Sequence, residues 1–182
     1  MYINNKEKIL WITRTAIFVA LLVVLQLATA RFGNIVTGSA VNLILIVATM
    51  TCGLASGAAV AVISPVMAKF LAVGPPWGLI PFIAAGNIVL VTLWYFVGNR
   101  DMGPKYAAFA AALIIAAAAK FTILYIGIVK IAVPVFLGLP ERQAAIISNM
   151  FSIPQIITAL TGGILASIML HALEKTARMR KD

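Results

Sequence analysis

Long apolar runs, broken by short clusters of Gly, Pro and charge, set the pattern of this chain. No charged side chain occurs in residues 15–30, 32–68, 70–99, 106–119 or 143–173, with His171 counted as neutral. A helix that crosses a bilayer needs roughly 20 mostly apolar residues, and two of these runs can hold more than one helix. The pattern predicts a first helix over 9–30, followed by a turn-rich segment over 31–38. Two helices share the next run, 40–51 and 54–73, hinged near Gly53. The second helix is then short, so either its start lies inside the preceding loop or it tilts little. Gly74-Pro75-Pro76-Trp77-Gly78 breaks the chain, since proline removes a donor and fixes φ. A fourth helix over 79–98, a polar loop over 99–104 and a fifth helix over 105–131 follow. Pro134, Gly138 and Pro140 mark another loop, and a sixth helix over 144–172 leads into a basic tail. No internal repeat and no linker divides the chain, which reads as one domain over 1–182.

Composition turns this pattern into a class. Apolar residues make up 63% of the chain and charged ones 10%, with a mean hydropathy of +1.07. A water-soluble domain carries about 25% charged residues, so the surface implied here is one for lipid. The fold class is an all-α integral membrane protein, a compact bundle of six transmembrane helices. The first span is not read as a cleaved signal, because no small-residue cleavage site leads into a polar chain. Cys52 lies alone in an apolar stretch, where a thiol serves packing.

The net charge of +9 does not imply nucleic acid, because the basic residues flank the spans. With six spans, Lys6, Lys8, Arg14, Arg100, Lys105, Lys175, Arg178, Arg180 and Lys181 fall on the side of the termini. Arg31, Lys130 and Arg142 fall on the other, nine against three. Cytoplasmic loops carry the excess of Lys and Arg, which places both termini in the cytoplasm.

In that orientation the strongly polar side chains gather in the outer half. Asn42 opens the second helix, Lys69 is near the outer end of the third, and Trp77 lies in the outer loop between the third and fourth. Asn87 is in the outer half of the fourth helix. Lys120 lies 15 residues beyond Lys105, about 22 Å at 1.5 Å per residue. Asn149 and Gln155 belong to the outer part of the sixth helix, with Ser148, Ser152 and Gln155 on one face. Polar groups within a bilayer are expensive and tend to be functional, and the inner halves nearly lack them. That is the pattern of an outward-facing pocket rather than of a pore.

Each residue also has a plainer role open to it. Lys69 either lines the pocket or snorkels to the interface. Asn87 and Asn149 either touch a solute or bridge helices. Trp77 is either a lid residue or an interfacial anchor. Lys120 either meets an anionic ligand, or pairs with Glu141 or with backbone carbonyls. No acidic residue lies in any span, so the carboxylate relay of an ion-coupled transporter is missing. One His and one Cys far apart make no metal site. No Ser–His–Asp set and no Walker loop can be assembled. These absences disfavour a membrane enzyme and imply no cofactor. The dry inner half disfavours a stand-alone facilitator. Small residues are spaced for close helix approach at Ala16 and Ala20, and again at Gly53, Gly57 and Ala61.

The chain resembles the substrate-binding S components of energy-coupling factor (ECF) vitamin transporters. The likeness rests on about 180 residues, six spans and the Ala16-x-x-x-Ala20 motif of the first helix. The segment from Trp77 to Asn87, and Ser148-Asn149 with Pro154-Gln155, are similar too. The resemblance implies capture of a vitamin or related micronutrient in the plasma membrane of a prokaryotic cell, and Lys69 and Lys120 favour an anionic one. It implies as partners a transmembrane scaffold subunit and two ABC-type ATPases, with Ala16 and Ala20 facing the scaffold. It also implies a ligand held in the outer half, beneath the first and third loops.

The charge count has a direct test. A reporter that works only in the cytoplasm should be active at either terminus, and one that works only after export should be silent. An active exported reporter at either end would overturn the six-span arrangement.

Overall fold

A computed structural model describes residues 5–179; Arg180 and Lys181 of the basic tail lie outside the described residues. Seven α-helices follow one another: α1 (Asn5–Thr29), α2 (Asn34–Cys52), α3 (Leu54–Phe70), α4 (Ile80–Gly98), α5 (Lys105–Leu124), α6 (Glu141–Met150) and α7 (Ile153–Met179). α5 continues without a break as a π-helix over Tyr125–Phe136. Among the described residues five helical segments are long and apolar enough to cross a membrane, and α3 has 17 residues.

Three departures from the sequence pattern have a clear local reason. α2 starts at Asn34 rather than at residue 40, because the turn after α1 is confined to Ala30–Gly33. Gly33 turns the chain at φ 89°, and Gly53 does the same between α2 and α3 at φ 88°; only glycine adopts such values without strain. The fifth helix runs past residue 131 and past Pro134 to Phe136. In an α-helix the proline ring would collide with the carbonyl four residues back, and the wider π winding relieves that clash. The last helix, in contrast, is broken into α6 and α7 at Phe151 and Ser152. Pro154 is responsible: it lacks the N–H that would have bonded to the Met150 carbonyl. Gln155 Nε2 takes that oxygen instead, at 3.0 Å.

The helices close a circuit in the order α1, α3, α4, α5, α7, α2, and α2 also leans against α4 across it. One end of the bundle carries the start of α1 and the end of α7; the other carries the turns after α1, α3 and the π-helix, together with α6. Toward the terminal end the core is dry and close-packed around Leu45, Ile46, Val60, Leu90 and Trp94. Thr15 and Ser56 bond to each other there at 2.9 Å. A smaller apolar cluster at the loop end joins Leu79, Leu124, Ile128 and Phe151.

Small residues set the closest crossings. Gly57 fits against Thr49, so the small-residue series of α3 serves packing between α2 and α3. Gly162 of α7 lies against α2, where an added Cβ would come within 2.6 Å of both Asn42 Cβ and Ser39 O. α1 is the least enclosed span, burying only Thr15, Leu22 and Gln26. Ala16 and Ala20 are exposed on it.

Gly162→Val should therefore force α7 from α2 and lower stability by about 1–3 kcal/mol, as overpacking does. Thermal denaturation in detergent measures this. An unchanged melting temperature would mean that the α2–α7 crossing yields freely.

Candidate solute-binding site

Lys120 stands near the end of α5 and is 4% exposed. Its Nζ donates to Asn42 Oδ1 at 2.6 Å and to Asn87 Oδ1 at 2.8 Å. These short bonds tie α5 to α2 and α4. Glu141 and backbone carbonyls, the partners open to Lys120 on the sequence alone, are replaced by two amide oxygens. The reason is position, since both asparagines are buried at the same depth of the bundle as the lysine. Removing an ion from water costs on the order of several kcal/mol even after relaxation, and hydrogen bonds to a charged donor are the strong ones that offset it.

The backbone determines which way Asn87 points. Pro65, inside α3, cannot donate to the Ala61 carbonyl four residues earlier. Asn87 Nδ2 donates to that freed oxygen at 3.4 Å. With its nitrogen engaged on α3, the amide turns its oxygen to Lys120. Asn42 is located by the α2–α7 crossing, where Gly162 leaves room for its Cβ.

Beside this cluster lies a cavity of about 340 Å³ at the loop end. Asn42, Asn87, Lys120, Gln155, Gln26 and Ser64 supply its polar wall. Val41, Ile83, Leu124 and Phe151 supply apolar surface, and Gly74, Pro75 and Pro76 border it. No acidic side chain lines it. The Gly74 loop is held by the end of α3, where Val73 N bonds to Ala68 O and Ala72 N to Lys69 O, each at 3.1 Å. This is the paired closure of a Schellman motif, with Ala72 at φ 58° in the place that glycine usually takes. A wider hollow of about 520 Å³ between α5 and α7 is lined by Phe109, Leu113, Ile164 and Ile168, with Tyr106, Ser167, His171 and Glu174 also on it. None of these polar side chains is buried, unlike Asn42, Asn87 and Lys120.

Four of the seven residues proposed from sequence thus meet on one wall: Asn42, Asn87, Lys120 and Gln155. Gln155 has its amide nitrogen engaged at the α6–α7 joint. The other three stand apart. Lys69 is half-buried on the last turn of α3, and its neighbour Ala68 takes the wall position. Trp77 is exposed and packs edge-to-face on Phe70 at 5.4 Å, while the prolines before it border the cavity. Asn149 is exposed in a separate depression with Phe32, Gly33 and Pro154. It faces away because the helix is broken next to it, so the continuous face that would have joined it to Gln155 does not exist. Gln26, Ser64 and Thr37 line the cavity without having been singled out. Gln26 did carry a signal, as the strongest hydrogen-bonding side chain in the uncharged run 15–30.

Among the described residues no three His, Cys, Asp or Glu side chains converge as metal ligands. The arrangement can bind and orient a small polar solute. The family model described as the substrate-specific component of ECF transporters matches residues 11–174. No curated protein and no solved structure matches the chain. The match covers most of the chain, which belongs to the substrate-specific components of ECF transporters.

The hydrogen-bond pattern orders two substitutions. Asn87→Leu leaves a buried ammonium short of one acceptor and strands the Ala61 carbonyl. Lys120→Met removes the charge, and the Asn42 and Asn87 oxygens that it strands are neutral and belong to residues on the cavity wall. A stranded buried group costs about 1–3 kcal/mol, more when charged, so Asn87→Leu should lower the melting temperature more than Lys120→Met. The reverse order would show that the cluster is not organised around the ammonium.

Proposed function

We propose that this substrate-specific component captures a vitamin or related micronutrient at the outer face of the plasma membrane. Uptake is driven through a transmembrane scaffold subunit and two ABC-type ATPases. The observation that carries this reading is the cavity at the loop end, with a buried lysine and two asparagines on its wall. In this reading α3 crosses as the sixth span, the termini are cytoplasmic and the loop end faces outward. The solute enters beneath the Gly74–Pro76 segment and is held by Asn42, Asn87 and Lys120, with Gln26 and Gln155 beside it.

The packing below the cavity supports a binding subunit over a stand-alone facilitator. Leu45, Ile46, Leu90 and Trp94 fill the bundle toward the terminal end with no measurable exposure. A solute leaving that way needs helices to move, and an external energy source acting on this subunit can supply the motion. The family of the chain is one of transporter components rather than of enzymes, in keeping with a site built for binding.

The docking face lies on α1. Ala16 and Ala20 are exposed, with Ile12, Ile17 and Val24 also uncovered on the helix. Small side chains allow a partner backbone to approach closely. The other small-residue series, on α3, is occupied by contact with Thr49 and leaves α1 as the free one.

Ala16→Trp should abolish uptake and co-purification of the ATPase pair, while native mass spectrometry still detects the same small molecule on the isolated subunit. Loss of both would place Ala16 in the subunit's own core. A wild-type subunit that carries no solute and recruits no ATPase would overturn the proposed function.

A further inference from the structure

Gln26 presents an anomaly. It is 6% exposed, lies on the cavity wall, and its Oε1 is buried without a hydrogen-bond partner. Its Nε2 reaches Ser64 Oγ at 3.5 Å, the long limit of a bond. An amide that only bridged α1 to α3 would need no cavity beside it, and an unpartnered buried acceptor costs about 1–3 kcal/mol. The Lys120 cluster, which lines the same cavity, has the complementary surplus. An ammonium has three donors, and two of those of Lys120 are used on Asn42 and Asn87. No carboxylate on the cavity wall balances its charge.

Resting on the solute-binding reading above, we propose that the ligand is a compact organic acid that also carries an N–H or O–H donor. Its anionic oxygen meets Lys120, and its donor meets Gln26 Oε1 once the amide, buried in the empty site, turns toward the cavity. α3 carries an anchor for each station: Asn87 is fixed on the Ala61 carbonyl and Gln26 reaches Ser64. Val41, Ile83, Leu124 and Phe151 provide apolar wall, which suits a hydrocarbon or ring framework between the polar ends. A volume of about 340 Å³ lies at the lower end of small-molecule pockets, about 300–1,000 Å³, so the ligand is small.

Each half of the ligand relieves a cost that the empty site carries. The acid supplies the charge that Lys120 lacks, and the donor satisfies an oxygen that the fold leaves open. A neutral molecule relieves only the second cost, and a cation worsens the first.

The test is a thermal-shift and binding screen of the purified subunit in detergent. The panel contains small acids with a donor, such as 3-hydroxybenzoate and 3-acetamidobenzoate, and acids without one, such as 3-methoxybenzoate. It also contains neutral amides and amines of the same size, and any solute identified by mass spectrometry. Stabilisation is expected from donor-bearing acids. For the strongest of these, Gln26→Met should weaken binding by roughly tenfold, about the value of one hydrogen bond. Methylating the compound's donor should cost wild type the same factor and cost the variant nothing, the non-additivity of a direct contact. The melting temperature of the unliganded variant reports folding, and the methylated analogue on wild type gives the same reading without any substitution.

Stabilisation by neutral compounds or amines instead would overturn the ligand class and leave the solute-binding function standing. Equal affinity of wild type and Gln26→Met would reduce Gln26 to a helix bridge. Preference for a compound whose second polar group only accepts would reverse the assigned amide orientation and overturn the donor. Failure of every class to stabilise the protein would overturn the solute-binding reading as well.

Discussion

A lysine ammonium in the interior of an apolar bundle, with no carboxylate on the wall beside it, is the constraint on which the polar half of this protein depends. Lys120 can stay buried only if oxygens approach it closely, and the chain supplies them as neutral amides from α2 and α4. That choice has a consequence. A carboxylate would have cancelled the charge and closed the site, whereas two amides solvate the ammonium and leave its field uncancelled. The cluster is thus stable enough to fold and still favours an incoming anion. The helix order follows, because α2, α4 and α5 must bring their polar positions to one depth.

Proline provides the precision. Pro65 and Pro154 each free a carbonyl four residues earlier, and in each case a side-chain amide takes it: Asn87 on Ala61, and Gln155 on Met150. In a bilayer no water is at hand to satisfy such an oxygen, so the replacement bond is needed. An amide with its nitrogen fixed in this way has its oxygen aimed as well. The two freed carbonyls are therefore also the two places where a wall residue is oriented. Gly162 completes the arrangement from the outside, since any side chain there would push Asn42 off its position.

Much of this was legible in the sequence. Hydropathy gave the helices, because a membrane span is set by length and apolarity alone, and the polar residues Asn42, Asn87, Lys120 and Gln155 stood out against that background. What failed depended on tertiary geometry. Asn149 lost its place because Pro154 splits a helix that periodicity reads as continuous, and Trp77 because its loop turns the prolines inward and the indole toward Phe70. The start of α2 was legible only as residue 40 or the loop before it, because Gly, Asn and Thr look like a loop until only Gly33 is asked to turn. Lys120's partners could not be read at all, since three residues far apart in sequence meet only once the circuit of helices closes.

α1 links the two ends of the argument. It is held to the bundle by a narrow stripe of Thr15, Leu22 and Gln26, and the last of these lies on the cavity wall. Ten residues earlier, about 15 Å along the axis, Ala16 is exposed. Phe18, Val19, Leu22 and Leu25 pack the helix on the core, and the polar contacts at Thr15 and Gln26 add direction to where it sits. Two sites are coupled only when occupancy of one changes the contacts that define the other. Gln26 meets that condition for α1, because its hydrogen bonding is incomplete while the cavity is empty. The orphaned oxygen is in this sense the counterpart of the uncancelled charge on Lys120: both are needs that the fold leaves open on the wall of one cavity, and one of them lies on the helix with the exposed small-residue face.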